Sequence, residues 1–310
     1  MKVAYVFPGQ GSQSVGMGMD LYVHHAAARA VYDEVDKILG FSLSRLCFEG
    51  PERELIQTVN VQPAVLTTSI ACLKAAQEVA GDKIPVPIFT AGHSLGEYTA
   101  LVVSGVLSLA DAVRLVRERG RLMHEAGKRQ PGGMLAILGL DLQTVENICL
   151  AVHVEISNIN SPNQIVVSGP QDNLEQARRL AQLKGSRRVV PLKVSGAFHS
   201  PLMEPAVEGL RNAINEYSFN TASIPVVANV TAQSITETSA IKEELISQIV
   251  HCVKWQQSVE TMIARGVTTF FEIGQGDVLT GLIKRISPGA QTFNINSVES
   301  IQSIMNWRKG

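Results

Sequence analysis

The stretch IFTAGHSLGEYTALVV, residues 88–103, decides the fold. Its first four residues are typical of a β-strand, and the run after Ser94 favours a helix. Between them stands the pattern G-x-S-x-G, whose glycines leave room for the sharp turn of a nucleophile elbow. We therefore predict that Ser94 is a nucleophile and that the amide of Leu95 donates a hydrogen bond to an oxyanion. An ordinary glycine-rich turn is the alternative.

The flanking sequence predicts a parallel sheet covered by helices. Short β-branched runs alternate with longer helical patterns, which is the order expected of an α/β protein. Pro63 is predicted to open a helix that continues over 64–80, since proline fits the first helical position. Besides 88–91, the predicted strands are 3–7, 225–230, 268–273 and 292–295.

The middle of the chain follows a different order. Strands are predicted over 134–138, 154–159, 164–168 and 188–194, and helices over 142–151 and 173–183. This β-α-β-β-α-β order is the ferredoxin-like arrangement. We therefore predict an inserted ferredoxin-like domain over 128–196, within a large α/β domain made of 1–127 and 197–310.

Composition excludes several classes of protein. The 310 residues carry a formal net charge of −1, so no basic excess indicates a nucleic-acid partner. The four cysteines are scattered without metal-type spacing, and we interpret them as reduced core thiols. No run is long enough to be a membrane span or a signal peptide. A cytoplasmic protein without a bound metal or cofactor is expected.

Arg119 lies on the apolar face of a predicted helix. Ser108 and Asp111 form a capping box, and the apolar residues after it fall on one stripe of helical spacing that has Arg119 at its centre. A guanidinium group on such a face is destabilising unless it is paired. Two alternatives stay open on this pattern: an ion pair with a protein carboxylate such as Glu97, or a site for the carboxylate of a substrate.

His199 is the candidate general base. Ser200 and Pro201 are suited to the start of a helix, whose positive end would favour a neutral imidazole at His199. A histidine that caps a turn in the core is the alternative. His93 adjoins Ser94, but neighbouring side chains on a tight turn point apart, so we predict a structural role for it.

With these residues in view, the chain resembles the bacterial malonyl-CoA:acyl carrier protein transacylases of fatty-acid synthesis. The resemblance extends from residue 7 to about residue 286. It depends on the ordered motifs FPGQGSQ at 7–13, GHSLGEY at 92–98, RG at 119–120, NSPNQIVVSG at 160–169, GAFHSPLM at 196–203 and EIGQGDVLTGL at 272–282. It implies a hydrolase-like α/β domain with a ferredoxin-like insertion.

The resemblance also implies roles for site residues. Ser94 matches the nucleophile and His199 the general base, while the backbone carbonyl of Gln248 matches the group that orients the histidine. The backbone amides of Gln10 and Leu95 match the oxyanion hole.

Substrate contacts follow from the same resemblance. Arg119 matches the arginine that binds the malonyl carboxylate, and Met123 and Phe198 are assigned to the acyl pocket. Malonyl-CoA is the implied substrate, acyl carrier protein the partner, and a monomer the implied state. The chain has Cys252 where the family usually has a proline near Gln248.

Other functions remain to be compared. A serine hydrolase also carries G-x-S-x-G, but it places its acid and then its histidine late in the chain. A free-standing acyltransferase of a polyketide synthase or of malonate decarboxylase would use the same residues with another carrier. A non-catalytic binding module would not need the set of Ser94, His199 and Arg119. Nucleotide binding is disfavoured, since neither G-Q-G segment completes a phosphate-binding motif.

Overall fold

The computed structural model describes residues 2–81 and 84–307, and for residues 305–307 it describes the backbone only. The strands are β1 Val3–Phe7, β2 Phe89–Gly92, β3 Gly133–Leu138, β4 Glu155–Ser161, β5 Gln164–Gly169, β6 Arg188–Pro191, β7 Val226–Val227, β8 Ser234–Ile235, β9 Thr269–Ile273 and β10 Gln291–Ile295. The helices are α1 Met19–His24, α2 Ala26–Leu39, α3 Leu43–Glu49, α4 Glu52–Leu55, α5 Thr58–Ala80, α6 Leu95–Val103, α7 Leu109–Arg129, α8 Leu142–Val152, α9 Gln171–Leu183, α10 Val207–Asn215, α11 Thr238–Gln248, α12 Trp255–Ala264, α13 Val278–Ile286 and α14 Val298–Trp307. A 3-10 segment, Pro201–Ala206, precedes α10.

The larger sheet has six strands in the order β10-β9-β1-β2-β7-β8. All neighbours pair in parallel except β7 and β8, which are antiparallel. β1 is buried along its whole length, as expected of a strand in a parallel sheet that helices cover on both faces. The prediction of an α/β fold with a parallel sheet is therefore confirmed.

The smaller sheet has four antiparallel strands in the order β4-β5-β3-β6. Its helices α8 and α9 pack against it through a separate apolar cluster that includes Ile137, Val145 and Ala177. The middle of β4 contacts the segment between α11 and α12, where the backbone of Val253 hydrogen-bonds to Ser157 and Ile159.

Three predicted elements differ from the structure, one of them being the strand predicted over 188–194, which ends at Pro191. The helix that was expected to start at Pro63 starts at Thr58, so that proline removes one hydrogen bond from the second turn. Packing outweighs this loss, because most of the helix is buried. The strand predicted over 225–230 has only Val226–Val227, and it turns back into β8 instead of leading directly into a helix.

Among the described residues, none of the helices is both long and apolar enough to span a membrane. All four cysteines are free thiols; Cys47, Cys72 and Cys149 are buried and Cys252 is half-buried.

Candidate active site

Ser94 lies on a sharp turn between β2 and α6. Its backbone has φ 51° and ψ −102°, a conformation that residues with a side chain rarely adopt. The turn needs glycine on both sides: a methyl group added at Gly92 would lie 1.9 Å from the carbonyl carbon of Gly96. The strand, the turn and the helix thus occur where the elbow pattern predicts them.

Gly96 brings the turn that follows β1 against the start of α6. A methyl group at Gly96 would lie 2.1 Å from the carbonyl oxygen of Phe7 and 2.9 Å from that of Pro8. Replacing Gly96 with alanine is expected to lower the free energy of unfolding by about 3 kcal/mol. Equilibrium denaturation in urea measures this change.

Gly281 offers a matched control for that substitution. It too lies in a helix, but a methyl group there meets no atom within 4 Å. Gly281→Ala is expected to raise the free energy of unfolding by up to about 1 kcal/mol, since alanine is the better helix former. Equal stability of the two variants would contradict the close contact at Gly96.

Ser94, His199 and Gln248 form a hydrogen-bonded chain. The Oγ of Ser94 lies 2.7 Å from the Nε2 of His199, and the Nδ1 of His199 lies 2.7 Å from the carbonyl oxygen of Gln248. Because a carbonyl only accepts, Nδ1 carries the proton and Nε2 is left to accept one from Ser94. The arrangement can therefore activate the serine hydroxyl.

The imidazole of His199 is held neutral by its surroundings. Burial, followed by the positive charge of Arg119, lowers the pKa of His199 to about 3. The expected helix after it begins as the short 3-10 segment, and the hydroxyl of Ser200 donates to Ala197 instead of capping it. The neutral form thus follows from burial and a neighbouring cation, which corrects the helix-based reason given above.

The amides of Gln10 and Leu95 border the elbow. Leu95 is the first residue of α6, and Gln10 lies on the turn after β1. Gly9 packs against the carbonyl oxygen of His93, where a methyl group would lie 2.3 Å away. Within the described part of the chain, neither amide has a hydrogen-bond acceptor, so both are available to a ligand oxygen.

Arg119 reaches Ser94 from the apolar face of α7. Its Nη2 lies 3.1 Å from the Oγ of Ser94 and 2.8 Å from the Oε1 of Gln248, and its Nη1 lies 2.8 Å from the Oε1 of Gln62. The guanidinium is 1% exposed and lies over the ring of Tyr98. Its Nε has no acceptor among the described residues, and no described carboxylate lies within ion-pair distance.

The alternative of a direct ion pair with Glu97 is therefore not realised. The amide of Gln248 intervenes, because it accepts from Arg119 and donates to Glu97. Burial and the neighbouring carboxyl of Glu244 raise the pKa of Glu97.

Met123 and Phe198 are buried near these groups. The Sδ of Met123 lies 3.4 Å from the Nε2 of Gln62, the same side chain that accepts from Arg119. Phe198 is adjacent to His199 in the chain and belongs to the main core. Their assignment to the acyl pocket stays a prediction.

The side chain of His93 points away from Ser94. Its Nε2 lies 2.8 Å from the Oδ1 of Asn160, and its ring lies beside Trp255 with 5.8 Å between centroids. Burial lowers the pKa of His93. These contacts agree with a structural role for His93.

Two polar residues at the site have no counterpart in the sequence-based prediction. Asn229 accepts from the amide of Ser94 and donates to the carbonyl oxygen of Gly92, both at 2.7 Å, so it fixes the elbow. Gln62 orients Arg119. The sequence did contain a signal for Asn229, because this polar residue lies two positions after the end of the buried strand β7, at the carboxyl end of a parallel sheet.

Comparisons with known proteins agree with this geometry. The family model described as acyl transferase domain matches residues 4–306. A malonyl CoA-acyl carrier protein transacylase of Bacillus subtilis (strain 168) is 46% identical over 306 residues, which cover 97% of this chain and 95% of the relative.

Solved structures of similar proteins superpose on nearly the whole chain. An acyl carrier protein S-malonyltransferase of Vibrio cholerae superposes with a TM-score of 0.93 at 39% identity, covering 98% of this chain and all of that one. A malonyl-transacylase in complex with its type II polyketide synthase acyl carrier protein superposes with a TM-score of 0.95 at 38% identity, covering 99% of both chains. By the match to its family model and by these relatives, the chain belongs to the acyl transferase domain family.

Proposed function

We propose that this enzyme transfers the malonyl group of malonyl-CoA to the phosphopantetheine thiol of acyl carrier protein, through an ester on Ser94. The observation that carries the proposal is the position of Arg119. Its buried guanidinium lies 3.1 Å from the Oγ of Ser94, and among the described residues it makes no direct ion pair with a carboxylate. An acyl group that ends in a carboxylate would supply the missing partner beside the nucleophile.

Each proposed step uses a group that is already in place. His199 takes the proton of Ser94 as the serine oxygen attacks the thioester carbonyl, and the amides of Gln10 and Leu95 stabilise the resulting oxyanion. When the carbon–sulfur bond breaks, His199 returns the proton to the thiolate of coenzyme A. The phosphopantetheine thiol then loses its proton to His199 and attacks the ester, and Ser94 leaves with that proton.

A cavity beside the elbow is suited to the pantetheine arm. It measures about 200 Å³ and lies between the two sheets. Asn158, Asn160 and Gln164 line it with amide groups, whereas Leu279 and Leu282 provide apolar surface. This mixture fits a chain that alternates amides with methylene groups.

The domain organisation belongs to the same proposal. The order β4-β5-β3-β6 supports a ferredoxin-like domain over 128–196, inserted in a hydrolase-like domain of 1–127 and 197–310. The enzyme is proposed to act as a cytoplasmic monomer, with malonyl-CoA as substrate and no bound cofactor, metal or nucleic acid.

Intact-protein mass after brief mixing with malonyl-CoA tests the function. We expect a malonyl adduct that is absent from Ser94→Ala, a much slower reaction with acetyl-CoA, and loss of the adduct when holo acyl carrier protein is added. Release of free malonate without an adduct or a loaded carrier would instead indicate a hydrolase.

A carrier of polyketide synthesis is a second candidate for the acceptor. The structural relative in complex with a type II polyketide synthase carrier supports it. Malonyl transfer to carriers of both kinds, measured at equal concentration, distinguishes the alternatives by the ratio of the two rates.

A further inference from the structure

The side-chain amide of Gln248 connects Arg119 to a buried carboxyl group. Its Oε1 accepts from the Nη2 of Arg119 at 2.8 Å, and its Nε2 donates to the carbonyl oxygen of Ser94 at 3.1 Å and to the Oε2 of Glu97. Gln248 is fully buried and Glu97 is 1% exposed. Solvent is therefore unable to replace a partner that is lost from this network.

Only one orientation of this amide suits Arg119. A guanidinium group donates and never accepts, so the oxygen of the amide must face it and the nitrogen must face acceptors. The Oε2 of Glu97 is such an acceptor. A reversed amide would place two donors against each other and leave Arg119 without this partner.

Glu97 is suited to this task because both of its oxygens accept. Besides the bond to Gln248, its Oε1 accepts from the backbone amide of Asn229 at 3.3 Å. A glutamine at position 97 has one oxygen and one NH2 group, so its nitrogen would face one of these two donors. The carboxyl group is therefore required by the hydrogen-bond pattern and not only by shape.

The connection through Gln248 also keeps Arg119 available. A direct ion pair would occupy the guanidinium with a protein carboxylate, whereas the amide contacts only Nη2. Among the described residues the Nε of Arg119 has no acceptor. Glu97 thus acts on Arg119 without competing with a ligand for its charge.

We propose that Glu97 is a positioning residue that determines acyl specificity: it fixes the amide of Gln248, which holds Arg119 in the orientation that receives the carboxylate of the acyl group. This inference depends on the proposed function, because it concerns the choice between malonyl and acetyl groups. Glu97 itself touches neither acyl group.

The test is the selectivity ratio, kcat/KM for acylation of Ser94 by malonyl-CoA divided by that for acetyl-CoA. In Glu97→Gln we expect the ratio to fall about tenfold or more, because only the malonyl group uses Arg119. Both substrates are measured on one preparation, so the folded fraction cancels. A purely structural role would lower both rate constants equally and leave the ratio unchanged, which would overturn the proposal.

Glu272→Gln is the matched control. Glu272 is also buried, and its two carboxyl oxygens accept from the amides of Leu279 at 3.0 Å and Thr280 at 2.6 Å, but among the described residues it makes no hydrogen bond to Gln248. Its ratio is expected to stay within about threefold of that of the unaltered enzyme. A fall equal to that of Glu97→Gln would mean that the loss of any buried carboxyl affects selectivity, and the specific role of Glu97 would be refuted.

Gln248→Leu completes a double-mutant cycle. It removes the amide but keeps the backbone carbonyl that pairs with His199. Because Glu97 acts through that amide, adding Glu97→Gln to Gln248→Leu should not lower the selectivity ratio any further. If the selectivity ratio of the double variant fell by the product of the two single effects, Glu97 would act on selectivity independently of the Gln248 amide, and the proposal would be refuted. Should Glu97→Gln not fold, an unchanged ratio in Gln248→Leu would still refute it.

The two proposals fail in different ways. If the unaltered enzyme forms no malonyl ester on Ser94, the proposed function itself is wrong. If it forms the ester and the ratio of Glu97→Gln equals that of the unaltered enzyme, only the inference about Glu97 is wrong.

Discussion

Replacing His199 with glutamine is expected to lower the rate constant for malonylation of Ser94 by about 10⁴-fold or more. The Nε2 of His199 lies 2.7 Å from the Oγ of Ser94, and its low pKa keeps it neutral at neutral pH. Glutamine fills a similar volume but accepts no proton, so the serine would have to attack as an unassisted hydroxyl. Rapid-quench mixing followed by intact mass measures the rate constant.

His93→Gln is the comparison for this variant, because His93 is the other histidine next to Ser94. Its Nε2 is paired with Asn160, and glutamine can keep that contact. We expect the rate constant to fall by less than about tenfold. If His93→Gln were the inactive variant and His199→Gln the active one, the assignment of the base would be reversed.

Replacing Arg119 with alanine is expected to lower kcat/KM for malonyl-CoA by about 10²- to 10³-fold, with a much smaller effect on acetyl-CoA. Two charge-assisted hydrogen bonds to the malonyl carboxylate are lost, and that carboxylate would then be buried without a partner. The acetyl group has no carboxylate and loses nothing comparable. Acylation rates with both thioesters measure the change in selectivity.

Arg117→Ala is the control for charge and helix position. Arg117 lies two residues before Arg119 in α7, but its guanidinium lies over the ring of Phe41, 4.4 Å from the centroid, and among the described residues it makes no hydrogen bond to Ser94. The selectivity ratio of Arg117→Ala should equal that of the unaltered enzyme.

An undiminished preference for malonyl-CoA in Arg119→Ala would refute the role of Arg119 and reopen the serine hydrolase alternative.

The parts of the fold that sequence predicts well are those with a local period. The alternation of strand and helix patterns predicts the parallel sheet, since each element buries its own apolar face. Pro63 marks the limit of this reasoning. The local preference of proline predicts a helix start at this residue, yet the buried helix begins at Thr58. Packing of the buried helix stabilises the fold by more than the one lost hydrogen bond would.

In the candidate site, too, only the residues that belong to a local sequence pattern are predictable. Ser94 and Leu95 are predictable because strand, turn and helix follow one another in the chain, and Arg119 is conspicuous because it interrupts an apolar stripe. The sequence also allows a direct ion pair between Arg119 and Glu97, and only the structure decides against it. No period in the sequence indicates that an amide from α11 would lie between Arg119 and Glu97.

By itself, the sequence determined the elbow that carries Ser94, the arginine on the apolar face of α7 and the α/β class, because each depends on residues that are neighbours along the chain. Only the tertiary structure decided which side chains hydrogen-bond to Ser94 and Arg119 and so fix their positions. Gln248 bonds to Arg119 across 129 residues, and Asn229 bonds to Ser94 across 135. Such contacts depend on how the sheet and its helices close around a shared interior, where every buried donor must find an acceptor.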